Sequence, residues 1–140
     1  MKIKKIMVEL DGVLSDNTHR LDYRGDYDHY QYLFEGDSVN EKLLEILSAL
    51  SDTHEITVFT MMPERMRTEV ESWLADNDVP CEELVMRPDT DYTKESDLRL
   101  EFVADAFAGS AECAGIIITN EKATEQLREQ GYFVMQIGWS

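Results

Sequence analysis

Apolar residues in this chain follow two periods in turn. Ile3, Ile6, Met7, Val8 and Leu10 make a near-continuous run, as expected of a strand buried on both faces. Residues 56–59 (ending at Thr60), 84–86, 116–118 (ending at Thr119-Asn120) and 133–137 read as four further strands. Between them the spacing turns helical. Val39, Leu43, Leu47 and Leu50, with Leu44 and Ile46, form one stripe; Met66, Val70, Trp73 and Leu74 form a second; Leu98, Phe102, Val103 and Phe107 form a third. Asp37 or Ser38 is placed to cap the first helix, with Glu41 at the capping-box position if Ser38 is the cap. Pro63 suits the first turn of the second helix, which residues 77–80 end. The third is expected from near Lys94 to near Phe107. A short fourth helix runs to Gln130, with Gly131 as its C-terminal cap.

Strand alternating with helix predicts an α/β fold: three α/β/α layers around a central, mostly parallel sheet of about five strands. The chain is 140 residues long, has no linker or repeat, and suits one domain over 1–140. Residues 15–36 break the pattern. They are polar, lack helical period and carry Tyr23, Tyr27, Tyr30 and Tyr32 with His19 and His29. They are expected to be a long loop, with a small hairpin around Arg24-Gly25-Asp26, acting as a lid or a protein-contact surface. In such sheets ligands bind at the carboxyl ends of strands. Those ends are Glu9-Leu10-Asp11, Thr60, Arg87 and Thr119-Asn120.

Charge narrows the partners. There are 29 Asp and Glu against 13 Lys and Arg, a net charge of −16. Such a surface repels nucleic-acid phosphates and acidic membranes, so bulk nucleic acid is not an expected partner; it allows a basic protein partner or mimicry of a polyanion. Acidity also keeps a small domain soluble with no further role. No apolar run is long enough to span a bilayer, and the basic start at residues 1–5 is followed by a run too short for a signal peptide, so the expected location is cytoplasmic. Cys81 and Cys113 stand in no metal or redox spacing and read as reduced thiols.

Two carboxylates at i and i+2, Glu9 and Asp11, followed by Gly12, can hold a hard cation beside a phosphate. If the strand continues they share one side; if it stops they sit at the mouth of a turn. The stretch resembles the first motif of the haloacid dehalogenase (HAD) superfamily, Asp-x-Asp-Gly-[Thr/Val]. Across the chain the resemblance is to the 3′-phosphatase domain of phage-type polynucleotide kinases. Gly25-Asp26-Tyr27-Asp28, Asp37-Ser38-Val39-Asn40, Val58-Phe59-Thr60 with Pro63-Glu64, and Arg87-Pro88 with Asp91 and Asp97 stand in that family's order and spacing. The resemblance implies a HAD-like, Rossmann-like fold in which 15–36 is a rudimentary cap insertion. It also implies phosphoryl transfer through an aspartyl phosphate, with a second Asp as acid and base, a Ser or Thr and a Lys on the phosphoryl oxygens, and Mg²⁺ held by further Asp.

Measured against that pattern the chain departs at several positions. Glu9 stands at the nucleophile, and its extra methylene moves the attacking oxygen by more than about 1 Å, a displacement that can cost ~100-fold. Asp11 keeps the acid/base position and Thr60 the hydroxyl. Met61 and Met62 replace a Gly and an Arg, Arg99 falls at the Lys, and Ile118-Thr119-Asn120-Glu121 stands where an Asp-Asp-Arg motif belongs. The expectation is therefore a degenerate HAD-like protein, a pseudophosphatase that binds a protein partner or a phosphorylated small ligand without turnover. Gly12, Thr60, Arg87 and Arg99 are the candidate phosphate contacts. Glu9, Asp11, Thr119 and Asn120 remain as weak metal ligands, so the expected cofactor is none or weakly bound Mg²⁺. Arg99 either clamps a phosphate or pairs with Glu9 or Asp11 in the metal's place. Two alternatives stand beside this reading: a weak Mg²⁺-dependent phosphatase acting on nucleotide or polynucleotide 3′-phosphate ends, and an acidic decoy of a nucleic-acid-binding protein. A homo-oligomer is a further expected state.

Overall fold

The computed structural model of the chain describes residues 4–138. Ile3, the first residue of the expected apolar run, lies outside them. In chain order the elements are β1 (Lys4–Glu9), β2 (Ser15–Asp16), α1 (Tyr27–Tyr32), β3 (Ser38–Val39), α2 (Glu41–Leu50), β4 (His54–Pro63), α3 (Arg67–Asp76), β5 (Glu83–Arg87), α4 (Glu95–Ala106), β6 (Cys113–Ile118), α5 (Glu121–Glu129) and β7 (Val134–Gln136). Five strands form one sheet in the order β5-β4-β1-β6-β7, and every pairing in it is parallel.

β1 is central, and its side chains divide by alternation. Ile6, Val8 and Leu10 pack on the face covered by α2 and α3, with Leu43, Leu47, Val70, Trp73 and Leu74. Met7 packs on the opposite face with Leu98, Phe102 and Val103 of α4 and Ala123 and Leu127 of α5. Two apolar faces on one sheet give the α/β/α layering, and this is why the central strands read as unbroken apolar runs. Glu9 shares the parity of Met7, so it projects towards α4. Among the described residues no helix is long and apolar enough to cross a membrane.

Three local expectations are corrected. The cap of α2 is Asn40, whose Oδ1 accepts the Leu43 N–H at 3.2 Å, and not Asp37 or Ser38. Asp37 is buried with its carboxylate committed to other partners, and Ser38 lies in β3. Pro63 ends β4 and is separated from α3 by a 3₁₀ turn over Glu64–Met66. Residues 15–36 are not an irregular loop with a hairpin. β2 and β3 pair antiparallel as a stem, and above it stand a 3₁₀ turn (Thr18–Tyr23), α1 and a second 3₁₀ turn (Leu33–Gly36). The chain around Arg24-Gly25-Asp26 is a turn between the first 3₁₀ turn and α1, with the Asp26 N–H bonded to the Tyr23 carbonyl at 2.9 Å. The insertion shows no apolar stripe because polar anchors fasten it. Among the described residues Arg20 and Phe34 are its fully buried large side chains, and the Trp73 indole N–H donates to the Asp37 carbonyl at 2.9 Å, tying α3 to the stem.

Candidate functional site

β1 stops at Glu9, and the chain turns at once. The Leu10 carbonyl accepts the N–H groups of Leu14 and Ser15 and the Ser15 hydroxyl, while the Gly12 N–H goes to the Ser15 carbonyl at 3.0 Å. Gly12 has φ +76°, a left-handed conformation that a side chain would strain, and an added Cβ would stand 3.4 Å from Asn17 Oδ1. Of the two geometries open to the acid pair, the turn is the one found: Glu9 is the last strand residue and Asp11 lies in the turn.

A cavity of about 290 Å³ opens over this turn, lined in part by Glu9, Asp11, Gly12, Met61, Arg99 and Thr119. Glu9 is fully buried. Its Oε2 accepts Arg99 Nε at 2.9 Å and Nη2 at 2.5 Å, and its Oε1 accepts the Thr119 N–H at 3.3 Å. Burial pushes the Glu9 carboxyl above its ordinary range, against the pull of the Arg99 charge. Arg99 comes from α4, one helical turn past Glu95, whose carboxylate lies 3.9 Å from Nη1; among the described residues that Nη1 has no hydrogen-bond partner.

Asp11 is held as firmly, by a residue the sequence did not single out. Arg20 has no exposed surface. Its Nη2 donates to Asp11 Oδ1 at 2.9 Å and to Asp37 Oδ2 at 2.7 Å, its Nε to Asp37 Oδ1 at 2.9 Å, and its Nη1 to the Tyr30 carbonyl at 3.2 Å. The guanidinium carbon lies 4.3 Å from the centroid of the Tyr30 ring. Burial works against the charge, but the hydrogen bonds to Asp37 and the charges of Asp11 and Asp37 outweigh it and hold the guanidinium protonated. Burial also raises the Tyr30 phenol, which accepts Asn17 Nδ2 at 2.9 Å. On the other side of Asp11, Thr60 Oγ1 donates to Oδ2 at 2.5 Å and accepts the Met62 N–H at 3.0 Å. The nearest signal for Arg20 in the sequence is that it and Arg24 are the only basic residues (histidines aside) of a stretch that must fold back over two acids.

The other expected contacts separate. Thr119 lines the cavity, but Asn120 does not: its Oδ1 caps α5 by accepting the Ala123 N–H at 2.8 Å. Arg87, expected on phosphate, is turned away from the site. Its Nε donates to the Met61 carbonyl and its Nη1 to the carbonyls of Asp91 and Thr93, and it lines a neighbouring cavity. The Gly12 N–H is likewise committed within the turn. The side chains of Tyr27 and His29 lie outside those described.

A hard dication does not fit this donor set. Each oxygen of Glu9 and Asp11 already accepts a donor, and two of those donors are guanidinium groups. Like charges at that distance disfavour a further cation. Among the described residues no group of three or more His, Cys, Asp or Glu is arranged to hold a metal ion.

The family model of the polynucleotide kinase PNKP phosphatase domain matches residues 3–139. No curated protein matches the sequence. A chain of the Pnkp1/Rnl/Hen1 complex superimposes with a TM-score of 0.81 at 18% identity, covering 98% of this chain and 46% of that one. A HAD-superfamily hydrolase, subfamily IA, variant 1, from Geobacter sulfurreducens PCA gives 0.65 at 16% identity, covering 96% and 89%. A HAD family enzyme from Bacteroides thetaiotaomicron, in complex with magnesium and inorganic phosphate, gives 0.60 at 12% identity, covering 99% and 98%. At these identities the likeness is one of fold. The chain spans less than half the length of the Pnkp1/Rnl/Hen1 chains it matches.

Proposed function

The chain belongs to the polynucleotide kinase PNKP phosphatase domain family of the HAD superfamily, and on that premise we propose that it is a non-catalytic member, which binds a protein partner or a phosphorylated ligand without turning it over. One observation carries the reading. The two carboxylates at the family's nucleophile and acid/base positions are each closed by a buried arginine, Glu9 by Arg99 and Asp11 by Arg20. Glu9 Oε2 accepts two Arg99 N–H groups and Oε1 accepts the Thr119 N–H, so the carboxylate at the nucleophile position is engaged by donors. A general acid must load and release a proton, and Asp11 sits between a permanent cation and a hydroxyl donor. Residues 15–36 act in this reading as a rudimentary cap within a single domain, and Arg20 is the bolt that fastens the cap to Asp11.

The occurrence of a similarly folded chain in the Pnkp1/Rnl/Hen1 complex supports work inside an assembly. The competing reading is a slow Mg²⁺-dependent phosphatase, favoured by the retained Asp11–Thr60 contact. The two separate in one assay: hydrolysis of an aryl phosphate and of a 3′-phosphorylated oligonucleotide in excess Mg²⁺, by the wild type and by Asp11→Asn. The non-catalytic reading expects both proteins at background. Turnover that disappears in Asp11→Asn overturns it.

A further inference from the structure

A second cavity, of about 360 Å³, lies outside the carboxylate pair, between the insertion and α3; Asp28, Gln31, Tyr32, Glu35, Met66 and Glu69 line it together with Arg65. Its polar atoms are predominantly acceptors. Gln31, which lines both this cavity and the one over the carboxylates, is only 5% exposed, and among the described residues its Oε1 has no hydrogen-bond partner; Glu69 Oε2 is buried and equally without one among them. A buried acceptor without a donor costs on the order of 1–3 kcal/mol, so two such residues in one cavity wall mark a place where donors are missing. Three carboxylates face one guanidinium there, and that guanidinium, Arg65, is half exposed and 3.6 Å from an Asp28 that is almost wholly exposed. Tyr32 stands at the rim with 80% of its surface exposed.

We propose that this cavity receives an arginine side chain of a basic protein partner. A guanidinium brings five N–H donors in one plane, which suits two acceptors at once, and its flat face stacks on an aromatic ring such as Tyr32. A lysine ammonium offers neither the fork nor the stack. The net charge of −16 draws a basic partner to the surface as a whole, and the cavity selects among the cations that arrive. The cavity shares Asp28 and Arg65 with the one bearing Tyr92, 89% exposed, so a basic segment has a second aromatic ring to lie against. The proposal is independent of whether Asp11 supports turnover.

The test uses the full chain and two labelled peptides of equal length and charge, one arginine-rich and one lysine-rich, in fluorescence anisotropy at about 150 mM salt. The arginine peptide is expected to bind at least about tenfold tighter. Glu69→Gln and Gln31→Leu, each confirmed folded by thermal melting, are expected to remove that preference. Glu41→Gln and Glu45→Gln on α2, which remove the same charge elsewhere, are expected to preserve it. Equal binding of the two peptides, no binding, or a preference indifferent to Glu69 and Gln31 overturns the proposal.

Discussion

Arg99 and Glu9 are 90 positions apart in sequence and share one buried hydrogen-bonded pair. Taking both charges out of water costs several kcal/mol per ion, which their attraction only partly returns, so the pair is asymmetric under mutation. Arg99→Leu strands the Glu9 charge and is expected to destabilise by about 3–5 kcal/mol in urea unfolding. The double variant Glu9→Leu/Arg99→Leu is expected to recover most of that loss; a double variant as unstable as the single one would mean that packing and not charge holds the site. A second prediction concerns Cys113. Burial pushes its thiol up to about 11 from the ordinary 9.0. Iodoacetamide labelling of Cys113 in the folded protein should therefore keep rising with pH until about 11, where an unfolded thiol has already levelled. The folded state keeps its proton where the unfolded state has lost it, so this contribution is present below the ordinary value and fades as pH climbs from 9.0 to about 11. A labelling curve that levels near the ordinary value in the folded state would contradict it.

The five sheet strands and the four helices outside the insertion, α2 to α5, were legible, most of them from an apolar run or a stripe at helical spacing. Leu43 and Leu47 of α2 and Leu98, Phe102 and Val103 of α4 were expected to face the core and are buried there. What failed was local polar chemistry. Asp37 looks like a cap from its neighbours in sequence, but Arg20 takes its carboxylate, and a contact across 17 positions leaves no periodic trace. The insertion was illegible for the same reason. The working cap, Asn40, does two things: it accepts from the Leu43 N–H, and its Nδ2 donates to the Val13 carbonyl at 3.2 Å, binding α2 to the turn beyond Gly12. Asn120 only caps α5. Asn120→Ala is therefore expected to cost ~1 kcal/mol and Asn40→Ala clearly more, up to ~2 kcal/mol, in chemical denaturation. Equal costs would mean that the Val13 contact contributes nothing.

At the scale of the whole molecule the same sheet that carries four strand ends along one edge also decides which of them meet. Glu9, Asp11, Arg99 and Thr119 line that cavity, Thr60 touches it through Asp11, and Arg87 and Asn120 do not reach it. The strand ends were readable from pattern, and the Arg99–Glu9 pair was one of two readings open for Arg99. The closure of Asp11 was not readable, because it depends on an insertion whose fold is itself held by the closing residue. Arg20 and Arg99 close the two carboxylates that a Mg²⁺ ion at this site would need. Isothermal titration calorimetry of Mg²⁺ into the wild-type protein tests this most directly. The account predicts no stoichiometric heat up to about 10 mM Mg²⁺ and, since a ligand stabilises only the state it binds, no rise in melting temperature. A one-to-one isotherm that vanishes in Asp11→Asn would contradict it.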